Sequence, residues 1–189
     1  AGGGLTMLKA LIDNTNTSDL GFKKIYLWGG KKTLASISDQ DWLIKKKPSM
    51  LNKNFIFRTV WQIFILPKAA RELDCNVLFI PGGSYFGSFR PIVSMSTNIL
   101  PFEIREIKRF GFSINTLRFL LLRFTQSHTF RNSDGLIFLS SYAKEKILSI
   151  VKNVKCQTKI IPFGVSSLQP IINGLAGAPL DSTPIRLIY

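Results

Sequence analysis

The stretch Cys75–Gly111, CNVLFIPGGSYFGSFRPIVSMSTNILPFEIREIKRFG, decides the fold. Asn76–Ile80 is a continuous apolar run of strand length, the pattern of a strand covered on both faces. Pro91–Met95 repeats it more weakly, and each run delivers a loop, one glycine-rich and one polar. The polar loop Ser96-Thr97-Asn98 leads to Pro101, which suits a first helical position, with Glu103 near the positive end of the helix dipole. This order predicts an α/β unit whose two loops share the carboxyl edge of a parallel sheet, where open sheets of this kind bind ligands.

Working outward, Lys24–Trp28 reads as a short buried strand, and Leu136–Leu139 and Lys159–Ile161 as two more. Asp41-Trp42-Leu43-Ile44 fits a strand or a short helix, and Lys45-Lys46-Lys47-Pro48 fits a solvated turn. Between the strands lie helical patterns. Leu5, Leu8, Leu11 and Ile12 give the first an apolar face; Asn54 can cap the next, through Phe57, Val60, Trp61, Phe64 and Ile65, with Pro67 kinking or restarting it. Gly111 should end the Pro101 helix and Ser113 cap another, on which Ile114, Leu117, Leu121, Phe124 and His128 follow one apolar side. Ser140 caps the last, Ser141–Ile150. Strands alternating with helices predict a doubly wound, Rossmann-like parallel sheet. The expected organisation is one domain over 1–168, a Gly/Pro/Asn/Ser-rich linker over 169–184, and the start of a second α/β domain at 185–189. Gly2-Gly3-Gly4 with no strand before it, and the β-prone run Ile185–Tyr189 with nothing after it, are the expected marks of a fragment.

The 189 residues carry 25 basic and 11 acidic side chains, a net charge of +14 and an isoelectric point near 10.1. Such a surface suits an anionic contact: nucleic acid, anionic lipid or phosphorylated small molecules. Aromatic residues fall mostly at core spacing and form no basic-aromatic stripe of the single-strand-binding kind, so no nucleic-acid partner is expected. No apolar run approaches the ~18 residues of a membrane span. Cys75 and Cys156 show no metal-ligand spacing, which fits a reduced pair in the cytoplasm and no metal site.

Four features carry chemistry. Gly2-Gly3-Gly4 ahead of a helix can bring backbone N–H groups to a phosphate, or form an ordinary turn. Pro81–Gly87 matches no phosphate-loop pattern; it reads as a flexible loop with an aromatic plug, or one whose Tyr85 and Phe86 offer a stacking surface. Ser96, Asn98 and Glu103 gather hydroxyl, amide and carboxylate groups that suit sugar hydroxyls, which want donors and acceptors together. The plainer alternative is a helix start stabilised by Glu103 and a loop held by Asn98. His128 stands alone and reads as structural. Arg105, Lys108, Arg109, Arg118, Arg123 and Arg131 form a basic set, either a solvated face or a contact for anionic lipid or acceptor.

Three passages resemble the N-terminal domain of a GT-B glycosyltransferase of the group 1 (family four) class. They are Ala1–Leu11; Ser96–Glu103 followed by Arg105–Gly111; and Phe130–Ser140 with Lys159–Val165 downstream. The likeness covers most of the chain, and its middle passage is the most specific. Two positions depart from it: Ser96-Thr97-Asn98 stands where many relatives carry a histidine, and Phe163 where a polar residue is usual. The resemblance implies the N-terminal half of a hexosyltransferase that is retaining, metal-independent and without a resident cofactor, moving a sugar from a nucleotide-sugar donor to a glycan or lipid-linked acceptor. It implies further that Gly2, Gly3 and Gly4 approach the donor's phosphates or sugar and that Ser96, Asn98 and Glu103 line the acceptor side. It identifies no catalytic residue. The donor is held mainly by a C-terminal domain bearing a basic pair and paired glutamates, so this half alone is expected to be inactive. The cysteines and the basic set together fit a cytoplasmic place, either free or peripheral at the inner face of an anionic membrane. The rival reading is a basic nucleotide- or nucleic-acid-binding α/β module without transferase activity.

Overall fold

A computed structural model of the chain describes residues 3–15, 21 and 23–163. Gly2, the linker expected at 169–184 and the run at 185–189 lie outside the described residues. Helix α1 (Gly3–Asp13) precedes strand β1 (Ile25–Trp28), helix α2 (Lys31–Ala35) and strand β2 (Leu43–Lys46). The two strands pair in parallel, from Ile25 opposite Leu43 to Trp28 opposite Lys46. The apolar face expected of α1 forms in part: Leu5, Leu8 and Ile12 pack with Ile25, Leu27 and Leu43, whereas Leu11 is exposed. Lys45 and Lys46 belong to β2 and not to a solvated turn. The Lys45 ammonium meets Asp39 at 2.8 Å and donates to the Ile37 carbonyl, so its stem is buried without stranding a charge.

Asn54 caps helix α3 (Phe55–Val60), its Oδ1 accepting the Phe57 N–H. The helix runs on through a π segment, Trp61–Ile65, into α4 (Leu66–Glu72). Pro67 brings no N–H to the ladder, but it falls in the first turn of α4, where none is needed. The turn before it widens, and the Leu66 N–H reaches back to the Trp61 carbonyl. The proline restarts the helix without breaking it.

Strands β3 (Leu78–Ile80), β4 (Ile92–Ser96), β5 (Gly135–Phe138) and β6 (Gln157–Ile160) form a second parallel sheet in that order. A loop joins β3 to β4. A 3-10 turn (Leu100–Phe102), helix α5 (Ile104–Lys108) and helix α6 (Ile114–Arg131) join β4 to β5, and helix α7 (Ser141–Ile150) joins β5 to β6. Ser113 and Ser140 cap α6 and α7 as expected, through the Thr116 and Ala143 N–H groups. Gly111, at φ +57°, ends the segment after α5 in a conformation that costs other residues more. The helix expected to open at Pro101 is divided: Glu103 sits at the N-cap of α5, outside its first turn.

Right-handed crossovers taken in one direction put every connection on one face. Leu78, Ile80 and Ile92 pack with Trp61, Leu66, Ala70 and Tyr85, while Leu136 and Phe138 pack with Phe102, Phe130, Ile147 and Val151. Leu78 lies opposite Ile92 and Ser94 opposite Leu136, so both clusters share one face of the sheet. The other face presents half-buried Phe79, Val93 and Ile137 beside exposed Gln157 and Lys159. Among the described residues β3 is therefore covered on one face, where its apolar run suggested two. The class is α/β with parallel sheets; the reversal of strand order that defines double winding is not among the described pairings.

The stripe Ile114, Leu117, Leu121 and Phe124 is exposed, although its spacing marked it as the apolar side of α6. The core contacts of α6 come from its far end, through Gln126, Thr129 and Phe130. Among the described residues no helix is long and apolar enough to cross a membrane.

Candidate functional site at the carboxyl edge

The loop after β3 is anchored. Thr129 Oγ1 accepts the Tyr85 N–H at 2.7 Å and has the Tyr85 and Thr125 carbonyls within 3.0 Å to receive its single proton. Tyr85 is 2% exposed, and its hydroxyl accepts the Phe89 N–H. The aromatic plug is therefore real, but Tyr85 offers no stacking surface and the loop is pinned at both carbonyl and amide. Phe86 stacks on His128 with ring centroids 5.0 Å apart, which gives the lone histidine a packing role.

The loop after β4 lies at the same edge. Residues 92, 94 and 96 of β4 point to the helix-covered face, so Ser96 is 4% exposed and its side chain belongs to the packed layer, away from the loop surface. Asn98 is exposed. Its Oδ1 accepts the Leu100 N–H at 2.9 Å, which fixes the amide and leaves Nδ2 to donate elsewhere. Glu103 is half-buried and reaches across to α7. The Tyr142 hydroxyl donates to one carboxylate oxygen at 2.5 Å, and Lys146 Nζ lies 3.1 Å from the other. Tyr142 and Lys146 are four residues apart on one helix, hence on one face. Their hydrogen bonds to the carboxylate, Tyr142 first, hold the Glu103 carboxyl below its usual range, and the same bond pushes the Tyr142 phenol up.

Phe102, Glu103, Arg105, Tyr142 and Lys146 line a shallow groove of about 490 Å³. It begins where the chain leaves β4 and α7 starts after β5, and runs along α7 to Ser149 and Ile150, so its Glu103–Tyr142 end lies at the carboxyl edge. The groove mixes one acceptor group with hydroxyl, ammonium and guanidinium donors, a set suited to a polyhydroxyl ligand. The lowering favours the ionised, hydrogen-bond-accepting form of Glu103. Tyr142 and Lys146 are the members that sequence reading missed; the Ser140 cap and their spacing of four on the helix it opens were the available signal.

Because the folded carboxyl titrates lower than the unfolded one, its contribution to stability is present above the ordinary carboxylate range. That contribution is lost as pH falls through the lowered value. Glu103→Gln is therefore expected to melt below wild type at neutral pH and to converge with it in acid. Melting temperature followed against pH checks this, and parallel curves would remove the tether.

The glycines at the start of the chain are placed elsewhere. Gly3 and Gly4 lie in the first turn of α1, on the β1–β2 unit, and a Cβ at Gly4 would meet nothing within 4 Å. The structure does not bring them against Asn98 or Glu103. Burial pushes the Cys75 and Cys156 thiols up, which makes both weak nucleophiles. Among the described residues no group of three or more His, Cys, Asp and Glu side chains comes together. No protein-family model, curated protein or solved structure matches the chain.

Proposed function

We propose that this chain is the acceptor-side α/β domain of a GT-B glycosyltransferase that uses a nucleotide-sugar donor. The observation that carries the reading is topological. The described strands run β2-β1 in one sheet and β3-β4-β5-β6 in the other, all parallel. One strand ahead of the glycines, inserted between β1 and β3, would turn these into the doubly wound order 3-2-1-4-5-6 with one further strand at the end. Trp28, at the end of β1, packs against the cluster over β3, which supports the two sheets lying side by side. In that order ligands gather at the carboxyl edge beside the reversal, and the Asn98–Glu103 segment is at that edge.

In this reading Asn98 and the Glu103 groove bind acceptor hydroxyls, Ser96 supports the loop from within, and the Gly3–Gly4 start of α1 faces the donor's phosphates. The groups that stabilise the leaving nucleotide's charge are assigned to the C-terminal domain, since helix starts and cations at that position do the electrostatic work of transfer. Asn98→Ala and Glu103→Gln in the complete enzyme test the assignment. Each removes hydrogen bonds worth about 1–3 kcal/mol, so kcat/KM for the acceptor is expected to fall about tenfold or more with the donor KM unchanged. Wild-type kinetics in both variants would refute the acceptor-side role. Binding to nucleic acid that weakens steeply with salt would instead favour a nucleic-acid module.

A further inference from the structure

We infer that the Glu103 groove takes a sugar carrying an oxyanion, a carboxylate or a phosphate monoester, with Arg105 and Lys146 as the cations that meet it. The inference rests on the acceptor-side reading and narrows the acceptor to an acidic one. Among the residues lining the groove Glu103 is the only carboxylate. Both its oxygens are engaged within the protein, one by the Tyr142 hydroxyl and the other by Lys146. The Tyr142 proton is thereby spent, and Ser149 Oγ spends its own on the Lys146 carbonyl at 2.8 Å. The hydroxyls of the groove therefore have no donor left to offer. The cations do: an ammonium has three N–H donors and a guanidinium five. Lys146 turns toward Glu103, and among the described residues no carboxylate pairs with Arg105. Glu106, beside it in sequence, is held by Arg109 at 2.7 Å.

Charge decides what fits. Arg105 and Lys146 against the single carboxylate leave the groove net positive, and the two cations reach it from different elements, α5 and α7. Arg105 also helps to hold the Glu103 carboxyl low, so its charge acts on the same place. A sugar bearing hydroxyls alone would leave that excess charge unmatched. An oxyanion accepts charge-assisted hydrogen bonds, about twice as strong as neutral ones, and fits the guanidinium fork with two oxygens at once. Lys146 is fixed by Glu103 before any ligand arrives, whereas Arg105 is exposed and has its whole fork to give. The remaining lone pairs of Glu103 are left for the sugar's hydroxyls, so one groove serves both parts of the ligand.

Calorimetric titration of the complete protein with glucuronate, glucose 6-phosphate and glucose, at one ionic strength, tests this. Both acidic sugars are expected to bind about tenfold or more tightly than glucose, and the ratio between them tells whether the group is carboxylate or phosphate. Arg105→Gln and Lys146→Gln should each weaken the acidic sugars about tenfold and leave glucose unchanged. Arg118→Gln with Arg123→Gln removes two cations from α6, outside the groove, and should change neither. Arg105 is exposed and pairs with no carboxylate among the described residues, so its variant is expected to keep the wild-type circular dichroism. Equal affinity for all three sugars, no binding of either acid, or a loss that the α6 pair reproduces would each overturn the inference. Transfer to a neutral acceptor that falls in Asn98→Ala would then leave the acceptor-side reading standing. Acid binding that Arg105→Gln abolishes, beside wild-type transfer in Asn98→Ala and Glu103→Gln, would refute that reading and keep the anion site.

Discussion

Replacing Tyr85 by alanine is expected to cost about 3–5 kcal/mol, the range for deleting a fully buried aromatic side chain. Tyr85 is 2% exposed and packs in the cluster that holds Trp61, Leu66, Leu78, Ile80 and Ile92 together. Its ring is also the surface on which the rest of the loop is folded: a Cβ at Gly87 would collide with the Tyr85 hydroxyl and ring. A domain is stable by about 5–15 kcal/mol, so the loss would lower the melting temperature by roughly 10 °C. Tyr85→Phe separates the two contributions, keeping the ring while leaving the Phe89 N–H without its acceptor, at about 1–2 kcal/mol. Urea titration of both variants measures the difference. A cost below about 1.5 kcal/mol for the alanine variant would show that the phenol does not fill the core.

Thr129→Val, almost isosteric, is expected to cost about 2–4 kcal/mol, because it strands the Tyr85 N–H and withdraws a donor from the Tyr85 carbonyl in a buried place. Thr129 is 0% exposed, so water cannot replace the lost partner. Its effect and that of Tyr85→Ala act on one loop, and a double-mutant cycle should show coupling of about 0.5–3 kcal/mol. Additive costs would mean that loop and helix are held independently. The same loop carries Ser84, on which Gln62 and Thr125 converge.

Much of the fold was legible because it rests on local chemistry. The caps at Asn54, Ser113 and Ser140 formed where a short polar side chain preceded a helical pattern, and the apolar runs became strands. What could not be read was which side each element presents. Ile114, Leu117, Leu121 and Phe124 have perfect spacing for a core face, yet spacing records only that they share a side. Whether that side meets protein or solvent depends on the neighbouring helices. Lys45 is a charge admitted to a strand because Asp39, in the loop just before β2, folds back to neutralise it. The candidate site was half visible for the same reason. Asn98 and Glu103 stand in one loop, but the Tyr142 and Lys146 donors come from a helix 39 residues on and reach Glu103 only through the β5 crossover.

The proposed function depends on partners for both sheets and for the cleft. The coding sequence on either side of the 189 residues tests it most directly. A β-strand pattern directly ahead of Gly2 is expected, and beyond Tyr189 a second α/β domain bearing a basic pair and paired glutamates. An initiation codon immediately before Ala1, or a stop codon immediately after Tyr189, would contradict the reading of this chain as half of a sugar transferase.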